Sequence, residues 1–191
     1  SRTYDTETCH RELDALLAHR DHLAAIDLAG DEQKFPAHRF HEHFKRARDA
    51  GLQVTVHAGE VEGPWSIWDA IRELGATRIG HGIHCLEDPA LVDYLVEHRI
   101  GLEISVTSNV HIGVVDDYAG HPVKQILEHG ILANLNTDDP AISGIDLRHE
   151  FEVVAPKAGL TAQQARKAQR NGLEMAFLSS QEKAELLSKK R

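Results

Sequence analysis

The chain has 191 residues, with 21 Lys+Arg against 30 Asp+Glu, a formal charge of −9. That length suits one domain with a sizeable core, and the negative balance offers no electrostatic footprint to nucleic-acid polymers or anionic membrane surfaces. No run approaches eighteen apolar residues, residues 1–10 lack a basic-then-apolar leader pattern, and Cys9 and Cys85 without any C-x-x-C cannot form a disulfide framework. The expectation is a cytoplasmic protein with no membrane partner. Histidine occurs 14 times, which invites a metal hypothesis without establishing one.

In chain order, the first short apolar run is residues 23–29, ahead of Pro36. Four more runs each follow a glycine placed as just beyond a helix end: 52–57 after Gly51, 77–80 after Gly75, 102–106 after Gly101 and 131–136 after Gly130. Pro36, Pro64, Pro89 behind Asp88, and Pro122 sit where helices begin. The runs read as apolar on both faces, the pattern of strands covered on both sides, and so predict a parallel sheet flanked by helices. Their starts lie roughly 25–30 residues apart, the size of a βαβ unit. After the fifth strand only helices are predicted, with capping boxes at Thr161-Ala-Gln-Gln164 and Ser179-Ser-Gln-Glu182. No linker or low-complexity tract divides the chain, so residues 1–191 form a single domain.

Active sites of parallel α/β folds lie at the carboxyl ends of the strands, and each predicted strand here ends in residues a core would not choose. The ends are Asp27-Leu-Ala-Gly30-Asp31-Glu32, His57-Ala-Gly-Glu60, Gly80-His81-Gly-Ile-His84, Ser105-Val-Thr-Ser-Asn109 and Asn136-Thr-Asp138-Asp139-Pro140. Singly, each has an ordinary structural explanation; a lone His at a strand end is more often a satisfied structural residue, and Asp-Asp-Pro is a common turn. Together they place imidazole and carboxylate on one edge of one sheet, the donor types of a catalytic zinc. His57 and Asp138 fit that role. Glu60, three residues after His57 across two small residues, fits a general acid or base. His81 could orient or deprotonate the same water.

These motifs resemble the adenosine deaminase family of the bacterial type, within the amidohydrolase-like (β/α)8 barrel group. The resemblance runs through 27–32, 57–60, Ile79-Gly-His-Gly82, Thr107-Ser-Asn109 and 136–140, in the family's order, and continues into Asn171-Gly-Leu-Glu-Met-Ala-Phe-Leu178. It implies zinc-dependent hydrolytic deamination of adenosine and deoxyadenosine, with a purine nucleoside as small-molecule partner. By the same resemblance His57 and Asp138 are zinc ligands and Glu60 protonates the purine N1. His81 positions or deprotonates the attacking water, Asp139 accepts a hydrogen bond from the ring at N7, and Gly30 contacts N3 through its backbone. Deamination of adenine or another 6-aminopurine is the alternative inside the class. A non-enzymatic half-barrel is the alternative outside it. The H-x-E and P-C-x-x-C signature of cytidine-deaminase-type zinc sites is absent.

The family's His-x-His pair, which supplies two further zinc ligands, has no counterpart. His41-Glu-His43 falls in a predicted helix, where residues two apart point about 200° around the axis; both are expected on a solvated face. The chain therefore reads as strands 4 to 8 of an eight-stranded barrel, which typically needs about 250 residues. This predicts a fragment lacking the N-terminal strands. By itself it would be inactive, and it would be completed by self-association or by a missing N-terminal piece.

Overall fold

A computed structural model describes residues 1–189. Strands β1 (Ala25–Leu28), β2 (Gln53–Ala58), β3 (Arg78–His81), β4 (Gly101–Ile104) and β5 (Leu132–Leu135) lie side by side in chain order, every pair parallel. Each lies within two residues of its predicted position. Helical crossovers connect them: a 3-10 turn Ala37–Phe40 running into helix His41–Asp49, then Pro64–Leu74, Pro89–Glu97, and the pair Val106–His111 and Val123–Glu128. Helix Thr6–Ala18 precedes β1, and only helices follow β5, ending in Ala162–Glu174 and Ser180–Ser188.

Local chemistry explains the boundaries. Pro64 and Pro89 occupy first helical turns, and Asp88 caps the second by accepting from Ala90 N at 2.9 Å. Both predicted capping boxes are present, Thr161 with Gln164 and Ser179 with Glu182. Gly51, Gly75 and Gly130 are left-handed as expected. Gly101 is not. Arg99 makes that turn instead, at φ 53°, and Gly101 is the first residue of β4. Its missing side chain serves packing: an added Cβ would lie 2.6 Å from Met175 Cε.

The strands also differ from the prediction of two apolar faces. Ile26, Leu28, Val54, Val56, Ile79, Leu102 and Ile104 are buried in the core cluster. Asp27, Thr55, Arg78, Glu103 and Asn134, which alternate with them along the strands, make the other face polar. Thr55 Oγ1 donates to Glu103 Oε2 at 3.0 Å, and Arg78 Nε lies 2.9 Å from Glu103 Oε1. Strands of four to six residues are too short for their alternation to stand out in the sequence.

His41 and His43 do lie on a helix and diverge, but His43 is buried, not solvated. It stacks on His10 with ring centroids 4.0 Å apart and shares its helix face with buried Phe40 and Phe44. Cys9 and Cys85 are both free thiols. Among the described residues, no helix is long and apolar enough to cross a membrane.

Candidate active site

The carboxyl edge of the sheet gathers four of the expected residues. His57 stands near the end of β2, His81 ends β3, and Asp138 follows β5. His81 (φ 64°) and Asp138 (φ 55°) both adopt left-handed backbone conformations. Such strain in non-glycine residues persists where the surroundings over-determine it, and it clusters at functional sites. One nitrogen or oxygen from each of His57, His81 and Asp138 lies within 4.8 Å of the others. The two imidazoles meet edge-on with centroids 5.1 Å apart, and His81 Nε2 lies 3.9 Å from Asp138 Oδ2. Ser108 Oγ donates to Asp138 Oδ2 at 2.7 Å. His57 Nδ1 is 2.9 Å from Asp27 Oδ2, at ion-pair distance without hydrogen-bond alignment. Gly80, Glu103, Ser105 and Asn136 complete the cleft.

Glu60 belongs to the turn between β2 and helix Pro64–Leu74, and Glu32 organises that turn. The buried Glu32 carboxylate accepts from Gly59 N (2.5 Å), Glu60 N (3.3 Å), Val61 N (3.0 Å), Glu62 N (3.2 Å) and Ser66 Oγ (2.5 Å). Successive N–H groups aimed at one anion form a nest, here filled from within the chain. Gly59 makes the turn at φ 66°, and a Cβ there would lie 2.5 Å from Ile67 Cδ1. Glu60 Oε1 accepts from Asn109 Nδ2 at 3.0 Å and lies 3.2 Å from His81 Nδ1.

The electrostatics separate these groups. Burial pushes the Glu60 carboxyl up to about 7; the charge of His57 opposes this, and Asp138 and Glu32 reinforce it. Burial disfavours charge on His57, but the adjacent Asp27 carboxylate, aided by Asp138 and Glu60, outweighs it and raises His57 to about 8. Burial, then the charge of His57, lower His81. Burial lowers His121 to about 4.

Imidazole nitrogen and carboxylate oxygen converging on one cleft suit a borderline cation such as zinc, so the donor set fits such an ion. Two expected residues stand apart from the cluster. Gly30 forms an exposed bend (φ 117°) beside Ser1–Thr3, and Asp139 is exposed ahead of helix Pro140–Ser143. Glu32, Ser108 and Asn109 lie inside the strand-end motifs, but nothing in the sequence signals the roles of their side chains. Nor is there any signal for His121, whose Nε2 lies 3.1 Å from Asn109 Oδ1.

A parallel α/β sheet with imidazole and carboxylate donors at its carboxyl edge is the arrangement of α/β proteins whose chemistry sits at the strand ends. The adenosine deaminase family profile matches residues 1–190. The adenosine deaminase of Vibrio cholerae is 60% identical over 189 residues, covering 99% of this chain and 57% of that protein. Among solved structures, the adenine deaminase of Arthrobacter aurescens superposes with a TM-score of 0.92 at 33% identity, over 97% of this chain and 57% of that one. A zinc-bound amidohydrolase from Burkholderia ambifaria has the same fold at TM-score 0.90 and 24% identity, over 98% and 53%. The chain belongs to the adenosine deaminase family, and it spans a little over half the length of the relatives it matches.

Proposed function

We propose that the protein carrying this chain hydrolyses adenosine and deoxyadenosine to the corresponding inosines and ammonia. The observation that supports this most directly is the convergence of His57, His81 and Asp138 within 4.8 Å, with Glu60 held beside them. His57 and Asp138 are the residues that would hold zinc. Zinc bound there would supply Lewis acidity, lowering the pKa of a water towards about 7. Glu60, raised to about 7 by burial, keeps a proton available near neutral pH and passes it to the purine N1. Protonation at N1 draws electron density from C6, where water adds and ammonia leaves. His81 positions the oxygen that attacks, and Asp138 is kept in place by Ser108. Asp139 meets the ring at N7 and the Gly30 backbone at N3.

The 60% identity to an adenosine deaminase, against 33% to an adenine deaminase, favours the nucleoside over the free base. Ammonia release from adenosine, deoxyadenosine and adenine tests this directly. The two nucleosides should turn over fastest, and Glu60→Gln should lower kcat by at least about 100-fold. A faster rate with adenine would replace the nucleoside with the base. No release from any of the three by the whole protein carrying this chain would overturn the deaminase reading.

A further inference from the structure

We infer that Asn109 and His121 are positioning residues that decide which nitrogen of His81 carries its proton, leaving Nε2–H aimed into the cleft. The chain of constraints starts at a group with no choice. The backbone N–H of Val123 can only donate, and it donates to His121 Nδ1 at 3.1 Å. Neutral His121 therefore carries its proton on Nε2, which lies 3.1 Å from Asn109 Oδ1. That contact orients the Asn109 amide. With Oδ1 accepting, the two hydrogens of Nδ2 meet two acceptors, Glu60 Oε1 at 3.0 Å and His81 Nδ1 at 3.1 Å. His81 Nδ1 thus accepts, and its proton resides on Nε2.

The reverse arrangement fails at each link. A proton on His81 Nδ1 could face Glu60 Oε1 at 3.2 Å, but it would then oppose an amide hydrogen of Asn109. Flipping that amide would set its N–H groups against His121 Nε2–H, and His121 cannot exchange nitrogens while Val123 holds the other. Asn109, His81 and His121 are 0%, 2% and 3% exposed, so bulk water is not at hand to repair a mismatch.

The consequence divides the three converging residues. His57 and Asp138 would present lone pairs to a cation, whereas His81 presents the N–H of Nε2, whose nitrogen lies 3.9 Å from Asp138 Oδ2 in the same cleft. His81 then acts as a donor that orients an oxygen nucleophile, and it neither ligates through Nε2 nor abstracts a proton with it. This catalytic consequence rests on the deaminase reading; the tautomer does not.

Long-range 15N NMR of the imidazoles in the 191-residue chain near neutral pH, metal-free and with zinc, tests the inference. Wild-type His81 and His121 should both show a protonated Nε2 and a lone-pair Nδ1. Asn109→Asp replaces the amide donor with an acceptor and should move the His81 proton to Nδ1. In the protein that turns over adenosine, the same change should lower kcat about 10-fold or more with little change in KM. A wild-type His81 protonated on Nδ1 overturns the inference even if the variant does not fold. So does a folded Asn109→Asp with the His81 tautomer unchanged. Absence of adenosine turnover by the whole wild-type protein carrying this chain would instead remove the deaminase reading and leave the tautomer result standing.

Discussion

Glu32 accepts from four successive backbone N–H groups of the turn that carries Glu60 and from the Ser66 hydroxyl, and a neutral isostere should expose that dependence. Glu32→Gln keeps one acceptor oxygen and sets an amide N–H group against donors in the nest. The expected cost is on the order of 3 kcal/mol in urea unfolding, with faster amide exchange at residues 59–62. Unchanged exchange there would show that the turn holds itself. His121 makes a second residue-level prediction. Its folded pKa is about 4, against 6.5 for the free side chain. Below 6.5 the unfolded chain gains a proton that the native state refuses. The stability from a neutral His121 is therefore complete above pH 6.5 and is lost as pH falls towards 4, by roughly 3 kcal/mol in all. Unfolding midpoints from pH 7 to pH 4.5 should fall less steeply for His121→Gln than for the wild type, and parallel curves would refute the assignment.

At the scale of elements, the turn from β2 into helix Pro64–Leu74 is the most constrained joint. Gly59→Ala must place a Cβ at φ 66° and 2.5 Å from Ile67 Cδ1. Left-handed strain and overpacking together should cost roughly 2–4 kcal/mol, measured by thermal or urea unfolding. A loss below about 1 kcal/mol would mean Ile67 swings away freely. This joint also shows what the sequence could and could not tell. Strands and helix starts were legible because glycine, proline and capping residues act locally, over three or four positions. Gly101 misled because its role is to admit Met175, a residue distant in sequence. His43 misled because its partner, His10, comes from another helix.

For the molecule as a whole, the sheet order places β1 and β5 at opposite edges, each with one strand neighbour among the described residues. Parallel edges of this kind are templates for further pairing. The 191-residue chain in solution should therefore show concentration-dependent association by light scattering; a monodisperse, well-folded monomer at all concentrations would contradict this. Legibility at this scale follows the same division as below it. His57, Glu60, His81 and Asp138 were readable because acid and imidazole groups at apolar strand ends are conspicuous. Glu32, Asn109 and His121 were not, because their significance lies in partners that only the assembled sheet brings within reach. The edge-on meeting of His57 and His81, 5.1 Å between centroids, carries one more consequence. The two rings come from adjacent strands whose pairing sets His57 opposite Gly80 and Ala58 opposite His81. By strand alternation His81 shares its face with Ala58 and not with His57, so it is the left-handed backbone at His81 (φ 64°) that brings its ring round to His57. Each imidazole's proton resonances are thus shifted by the other's aromatic field only while the left-handed turn at His81 holds, so the two histidines of the candidate site gauge the correct ending of β3 before any substrate is added.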